Sequence, residues 1–209
     1  MDIFFQQIEM GPMANYVYFV GDPITRELAV VDPAWDIDLI RDVAQKHDYQ
    51  LKHALITHGH PDHINLVETL LNEEQVQAYM HRDEVPWIGG WKETIIPTNH
   101  MDEISIGNIK IQALHTPGHT EGSQCFLFDT KMISGDTLFI DGCGRTDLPG
   151  GNAEQLYDTF NNVIKKLPND TIIYPGHNYA DDPCQPLDKQ KKSNPYLKAY
   201  SKEAFLTLV

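Results

Sequence analysis

Read for its pattern of apolar and polar positions, the chain opens with short strands and turns. "IFFQQIEM" (3–10) and "YVYFVGD" (16–22) are rich in β-branched and aromatic residues, and "ELAVVDP" (27–33) is an apolar run ended by a proline turn. In "WDIDLIRDVAQKHDY" (35–49) the period changes: Ile37, Ile40, Val43, Ala44 and His47 recur at helical spacing, which predicts an amphipathic helix. "HALIT" (53–57) reads as a buried strand, "INLVETLLNEE" (64–74) as a second helix and "VQAYMH" (76–81) as a further strand, while 87–102 reads as an irregular loop.

Strand signals return over "EISIGNIKIQALHTPG" (103–118), where "IKIQAL" alternates, and over the apolar "SQCFLFD" (123–129). "KMISGD" (131–136) leads into a Gly-rich loop. A third helix is predicted over "NAEQLYDTFNNVIKKL" (152–167), with Leu156, Phe160, Val163, Ile164 and Leu167 on one face and Asn152 as its N-cap. "DTIIYPGH" (170–177) ends in a last short strand. The remainder, 181–209, is expected to be a short polar tail with one amphipathic stretch around "YLKAYSKEAFL". Runs of strands interrupted by helices predict an α/β (α+β) fold with sheets inside and helices outside. At 209 residues the chain is expected to form one domain, 1–209, that includes the tail.

Composition narrows the function. The chain is 41% hydrophobic and 22% charged, an ordinary globular balance, and no apolar run approaches the ~20 residues that span a bilayer. The start "MDIFFQQIEM" lacks a signal-peptide pattern, so the expected location is cytoplasmic, with no membrane partner. A formal charge of −14 argues against nucleic acid. Cys125, Cys143 and Cys184 are too few and too scattered for a disulfide framework, and they form no Cys-x-x-Cys pair.

The chemistry is concentrated at strand ends. His58 and His60 follow "HALIT", and Asp62 and His63 come next. His119, Asp136 and His177 each follow a glycine directly, at the ends of later strands. Imidazoles and carboxylates suit Zn²⁺, Fe²⁺ or Mn²⁺, and the lack of a Cys pair argues against a structural zinc. His58 and His60 can face one cation and Asp62 and His63 a second, with Asp136 bridging. Two cations ~3.5–4 Å apart share a water and pull its pKa from 15.7 toward roughly 7, so hydroxide becomes available without a Ser or Cys nucleophile. Isolated histidines are more often surface or hydrogen-bonding residues, and His47, His53, His81, His100 and His115 are read so. Cys143 reads as a packed residue or pocket wall.

"THGHPDH", "TPGHTEGS", "SGDTLF" and "YPGHNY", in this order over roughly 10–197, resemble the metallo-β-lactamase superfamily. The resemblance implies an αββα sandwich of two mixed sheets flanked by helices, with a dinuclear site on its edge. It implies one metal on His58, His60 and His119, another on Asp62, His63 and His177, and Asp136 as the bridge. Asp62 and His119 are expected to be catalytic as well as ligands, and two divalent ions, zinc first and iron or manganese next, are the expected cofactors. Asp136 stands where true β-lactamases have cysteine, which argues against antibiotic hydrolysis.

Within the superfamily, "GDTLFIDGCGRTDLPGGN" and "KKSNPYL" look most like hydroxyacylglutathione hydrolases (glyoxalase II). The chain departs from them where "RTDLPGG" follows Gly144 and where a short tail replaces a helical C-terminal domain. The resemblance implies metal-dependent hydrolysis of a small-molecule thioester of the S-acylglutathione type, with lactone or phosphoester substrates as alternatives. "GCGRTD" is also similar to persulfide dioxygenases, which would use a single Fe²⁺ on His58, His119 and Asp136. A metal-bearing regulatory domain is a third reading. Arg145 and Tyr179 are the expected substrate contacts; Arg145 reads equally as a salt bridge to Asp141 or Asp147, and Tyr179 as a cover over the pocket edge.

Overall fold

Every residue from Asn15 to Gly21 is buried, and the two alternating sets of side chains face different partners. Tyr16, Tyr18 and Val20 join one apolar cluster, while Val17 and Phe19 join another. Successive side chains of a strand point to opposite faces, so this strand is covered on both sides. The same holds for Glu27–Val31, where Ala29 and Val31 face the first cluster and Leu28 and Val30 the second.

The computed structural model describes residues 2–209. The first sheet contains β1 (Phe4–Met10), β2 (Asn15–Gly21), β3 (Glu27–Val31), β4 (Gln50–Leu55), β5 (Gln77–His81) and β6 (Ile95–Thr98), in that spatial order. β7 (Glu103–Ile106), β8 (Ile109–His115), β9 (Gln124–Phe128) and β10 (Lys131–Gly135) begin the second. A two-stranded ribbon follows, β11 (Leu138–Phe139) and β12 (Gly142–Cys143). β13 (Ile172–Pro175) and β14 (Gln185–Pro186) complete the second sheet, whose order is β14-β13-β10-β9-β8-β7. The helices are α1 (Ile37–Lys46), α2 (Pro61–Ile64), α3 (Val67–Thr69), α4 (Ala153–Asn162), α5 (Leu187–Ser193), α6 (Pro195–Lys198) and α7 (Lys202–Leu206).

Three apolar clusters separate four layers, giving the αββα sandwich. Ile40 and Val43 of α1 pack with Val67 and Leu70 on the outer face of the first sheet. Leu156 and Phe160 of α4 pack on the outer face of the second. Tyr18, Leu55, Ile111, Phe126 and Ile133 fill the space between the sheets. Phe126 is fully buried there, so Phe126→Ala is expected to cost about 3–5 kcal/mol through lost burial and the cavity left behind. Equilibrium denaturation checks this; a loss below ~1 kcal/mol would contradict the packing.

The segment 64–74 is not the continuous helix its pattern predicts. α2 stops at Ile64, α3 is a single short turn, and a π-helical turn spans Leu70–Glu74. The Asn65 side chain accepts from the Trp35 amide at 2.8 Å, and the Leu66 amide donates to the Pro33 carbonyl at 3.2 Å, so tertiary bonds replace helical ones. The expected loop 87–102 contains strand β6. Pro97 cannot donate to a ladder, but β6 lies at the sheet edge, where a missing donor is tolerated. Asn152 caps α4 by accepting from the Gln155 amide at 3.0 Å, and α4 ends at Asn162, before a 3₁₀ turn at Ile164–Lys166. Residues 185–206 form β14 and α5–α7 and bury Leu187, Leu197 and Phe205 against α4.

Strand direction sets up the site. β3 and β4 are parallel, as are β10 and β13, while β9 runs antiparallel to both β8 and β10. The carboxyl ends of β8, β10 and β13 therefore share one rim. The rims of the two sheets are joined where the Gln124 amide donates to the Thr57 carbonyl at 2.9 Å and the Tyr16 amide to the Gly176 carbonyl at 2.8 Å.

Candidate metal centre

Each of the seven histidines and aspartates expected as ligands lies just past a strand at this rim: His58, His60, Asp62 and His63 after β4, His119 after β8, Asp136 after β10 and His177 after β13. The ligand atoms of His58, His60 and His119 lie within 4.8 Å of one another, and so do those of Asp62, His63 and His177. His60 Nδ1 is 3.0 Å from His58 Nε2 and 2.9 Å from His119 Nε2. His63 Nε2 is 3.2 Å from His177 Nε2 and 3.3 Å from Asp62 Oδ2. Asp136 lies between the two groups: its Oδ2 is 3.6 Å from His119 Nε2 and 3.4 Å from His177 Nε2, and its Oδ1 is 3.5 Å from His63 Nε2. Tetrahedral coordination with Zn–N bonds of ~2.0–2.1 Å has ligand–ligand edges of about 3.3 Å, which these separations match.

The outer nitrogens determine which atoms face inward. His177 Nδ1 meets the Met13 carbonyl at 2.9 Å and His119 Nδ1 the Arg145 carbonyl at 2.8 Å. A carbonyl only accepts, so Nδ1 carries the proton and the Nε2 lone pair faces the centre. His63 Nδ1 donates to Asp32 Oδ2 at 3.0 Å. The Thr57 hydroxyl donates to Asp32 Oδ2 at 2.7 Å and accepts from His58 Nδ1 at 3.0 Å. Asn15 Nδ2 donates to Asp62 Oδ2 at 2.8 Å, and the amide is oriented by Trp35 Nε1–H, which donates to Asn15 Oδ1 at 2.9 Å. Two glycines allow the close approach: a Cβ on Gly176 would fall on Asp136 Oδ1, and one on Gly144 would fall on the Asp136 carbonyl.

Electrostatics favour cations here. Burial lowers the pKa of His58 well below the usual range, helped by the surrounding histidines, and lowers that of His60 to about 4, so both rings stay neutral as ligands must. Burial acts against the charged form of His63, but Asp136, Asp32 and Asp62 outweigh it and raise its pKa well above normal. His177 is raised in the same way, chiefly by Asp136. Burial would raise Asp62 and Asp136, yet the His63 hydrogen bond and charge at Asp62, and the His63 charge at Asp136, hold both carboxyls below their usual range. Asp136 Oδ1 is buried without a hydrogen-bond partner. Such an oxygen is costly unless charge meets it. The orphaned oxygen, the neutral rings of His58 and His60, and the carboxylates that draw positive charge to His63 and His177 fit a pair of divalent cations.

A cavity of about 620 Å³ opens on the ligands. His60, Asp62, His119, Asp136 and His177 line one side, and Met13, Phe139, Ile140, Leu148 and Tyr179 give an apolar wall. Tyr179 is 60% exposed and stacks on His177 at 4.7 Å, so it does cover the pocket edge. Arg145 lines the cavity, but its exposed guanidinium makes two 2.7 Å bonds to Asp147. Asp141 instead accepts from Gln190 Nε2 at 3.2 Å. Cys143 forms part of the wall, and burial pushes its thiol up to about 12, so it is not a thiolate nucleophile. Away from the centre, His81 and His115 stack face to face at 3.8 Å.

The pattern reading passed over several supporting residues. Asp32 offered a signal, a carboxylate directly after a buried strand, which the proline turn obscured. Asn15 and Thr57 carry no local signature. Asn194 of the "KSNPYL" run donates to the carbonyls of Gly142 at 3.0 Å and Phe139 at 3.3 Å, so the C-terminal segment holds the cavity wall.

With residues 10–177 matching its pattern, the chain belongs to the metallo-beta-lactamase superfamily, whose fold binds divalent metals, and it is a metal-dependent hydrolase of that superfamily. It is 33% identical to the probable polyketide biosynthesis zinc-dependent hydrolase PksB of Bacillus subtilis, over 92% of this chain and 85% of that one. It is 36% identical to a probable hydroxyacylglutathione hydrolase of Schizosaccharomyces pombe, over 82% of this chain and 66% of that one. Among solved structures, ETHE1 from Myxococcus xanthus is similar with a TM-score of 0.90 and 32% identity, covering 98% of this chain and 89% of that one. No helix among the described residues is long and apolar enough to cross a membrane.

Proposed function

We propose that this protein hydrolyses acyl thioesters of the S-acylglutathione type, with two divalent cations held by His58, His60 and His119 and by Asp62, His63 and His177, and shared by Asp136. The observation that carries the reading is the buried Asp136 carboxylate between two ligand groups, one oxygen of which has no hydrogen-bond partner. Cations held by these residues would supply Lewis acidity for the scissile carbonyl and would lower the pKa of a water toward neutral. The chain's own contribution is positioning. Asp62 lines the cavity and, held at Oδ2 by Asn15, is proposed to take the proton of the attacking water. His119 keeps Nε2 toward the centre because its Nδ1–H is committed to the Arg145 carbonyl. The apolar wall of Phe139, Ile140 and Leu148 suits the acyl group, and Arg145 and Tyr179 are the proposed contacts to the thiol portion. Resemblance to a probable hydroxyacylglutathione hydrolase supports the thioester class.

The test is a panel of S-acylglutathiones with zinc-loaded protein. Hydrolysis is expected, with kcat/KM rising by roughly 10-fold or more from acetyl to hexanoyl, because each buried CH₂ contributes ≈ 0.8 kcal/mol. No thioesterase activity in a protein carrying two metals would refute the proposal. A second reading, iron-dependent oxidation of a persulfide on His58, His119 and Asp136, is favoured by "GCGRTD", whose Cys143 and Arg145 line the cavity. Oxygen uptake by iron-loaded protein with glutathione persulfide would select it.

A further inference from the structure

Glu84 lies outside the seven ligands, yet it joins two loops at points directly beside three of them, His58, His60 and His119. It follows β5 and is 3% exposed. Its Oε1 accepts from the Gly59 amide at 2.7 Å. Its Oε2 accepts from the Gly122 amide at 3.0 Å and the Thr120 hydroxyl at 2.9 Å. Gly59 sits between His58 and His60; Thr120 and Gly122 follow His119. Both glycines are packed against this residue: a Cβ on Gly59 would lie 2.9 Å from Glu84 Oε1, and one on Gly122 would fall on the Glu84 amide nitrogen. No Lys, Arg or His lies within ion-pair distance of Glu84 among the described residues. A buried carboxylate held only by neutral donors is an expensive way to fill a core position, and apolar replacements are often as stable. Its three bonds go to residues beside or just after His58, His60 and His119, whereas Asp62 and His63, further along the first of these loops, are held by Asn15 and Asp32, and His177 by the Met13 carbonyl.

We propose that Glu84 is a positioning residue for one cation position only, the one formed by His58, His60 and His119, because it fixes the loop of the first pair against the loop of the third. This rests on the two-cation reading above. Glu84 makes no hydrogen bond to a ligand side chain; it acts through the Gly59 and Gly122 amides and the Thr120 hydroxyl of the loops on either side. Removing the partner that orients a ligand typically costs 10–100-fold in metal affinity.

The experiment is a Zn²⁺ titration of the metal-free full chain against a chromophoric chelator, with wild type, Glu84→Ala and the reference variants His60→Ala and His177→Ala. Wild type is expected to bind in two steps. Glu84→Ala should weaken by 10–100-fold the step that His60→Ala abolishes, and leave the step that His177→Ala abolishes within about 3-fold. Hydrogen exchange should accelerate at the Gly59 and Gly122 amides and not at Asn178. Two unchanged steps, or two steps falling together, would overturn the inference. If Glu84→Ala does not fold, Thr120→Val, which removes one arm of the clamp, decides by the same criteria. Wild type that binds no Zn²⁺ would remove this inference together with the two-cation reading, an outcome distinct from a two-step wild type with an unaffected variant.

Discussion

Asp136→Asn is expected to lower kcat/KM by on the order of 10³-fold or more and to reduce the bound zinc from two ions to one. A neutral amide cannot share charge between two cations, and losing one well-placed electrostatic contribution at a reacting centre costs about 10²–10³ by itself. The fold should survive. Asn has the shape of Asp, so the substitution removes no apolar packing, but it takes away the negative charge that faces His63 and His177. The metal-free variant is expected to fold but to melt roughly 4–8 °C below metal-free wild type, about 2 kcal/mol lost with the buried contacts of Asp136 to His63 and His177. Steady-state kinetics, metal analysis and thermal melts on the same preparations check this. Activity retained within about 10-fold would show that the bridge is not required.

The second large effect falls on stability as well as on the metal. Asp32 accepts from the Thr57 amide at 2.8 Å, the Thr57 hydroxyl at 2.7 Å and His63 Nδ1 at 3.0 Å, all in the interior. It also has φ of 51°, a left-handed conformation that Asp tolerates better than Ala. Asp32→Ala strands three buried donors at ~1–3 kcal/mol each, so a loss of roughly 3–5 kcal/mol is expected after relaxation. His63 also loses its orienting partner, and its cation should bind 10–100-fold more weakly. Asp32→Asn keeps an acceptor and should lose less in both. Urea midpoints of the metal-free proteins, followed by zinc competition, measure the two effects separately. An unchanged midpoint for Asp32→Ala would contradict the hydrogen-bond network.

What the one-dimensional pattern carried, and what it missed, follow from the range of the forces involved. Apolar runs and alternation are local patterns, so β2, β3 and β9 were legible as apolar runs and β8 as an alternating one, and the order of ligands at strand ends was visible because each stands near a glycine or a strand terminus. The break after Ile64 was not legible, because it depends on Asn65 reaching Trp35 and on Leu66 reaching Pro33. β6 was hidden by Pro97, whose tolerance depends on an edge position that only the sheet order reveals. In the site, residues that could hold a cation stood out by type. The residues that aim them did not: Asn15, Thr57 and Glu84 are common polar residues whose roles arise from contacts 25–47 residues away. Asn194 belonged to a visible motif, but only the packing of α5 and α6 shows that it supports the cavity wall.

The central claim is that side chains from four loops surround two cations at the rim where the sheets meet. Anomalous diffraction at the zinc edge from zinc-loaded crystals tests it most directly. Two peaks ~3.5–4 Å apart are expected, one among His58, His60 and His119 and the other among Asp62, His63 and His177, with Asp136 reaching both. A single peak at full zinc loading, or peaks elsewhere such as beside His81 and His115, would contradict it.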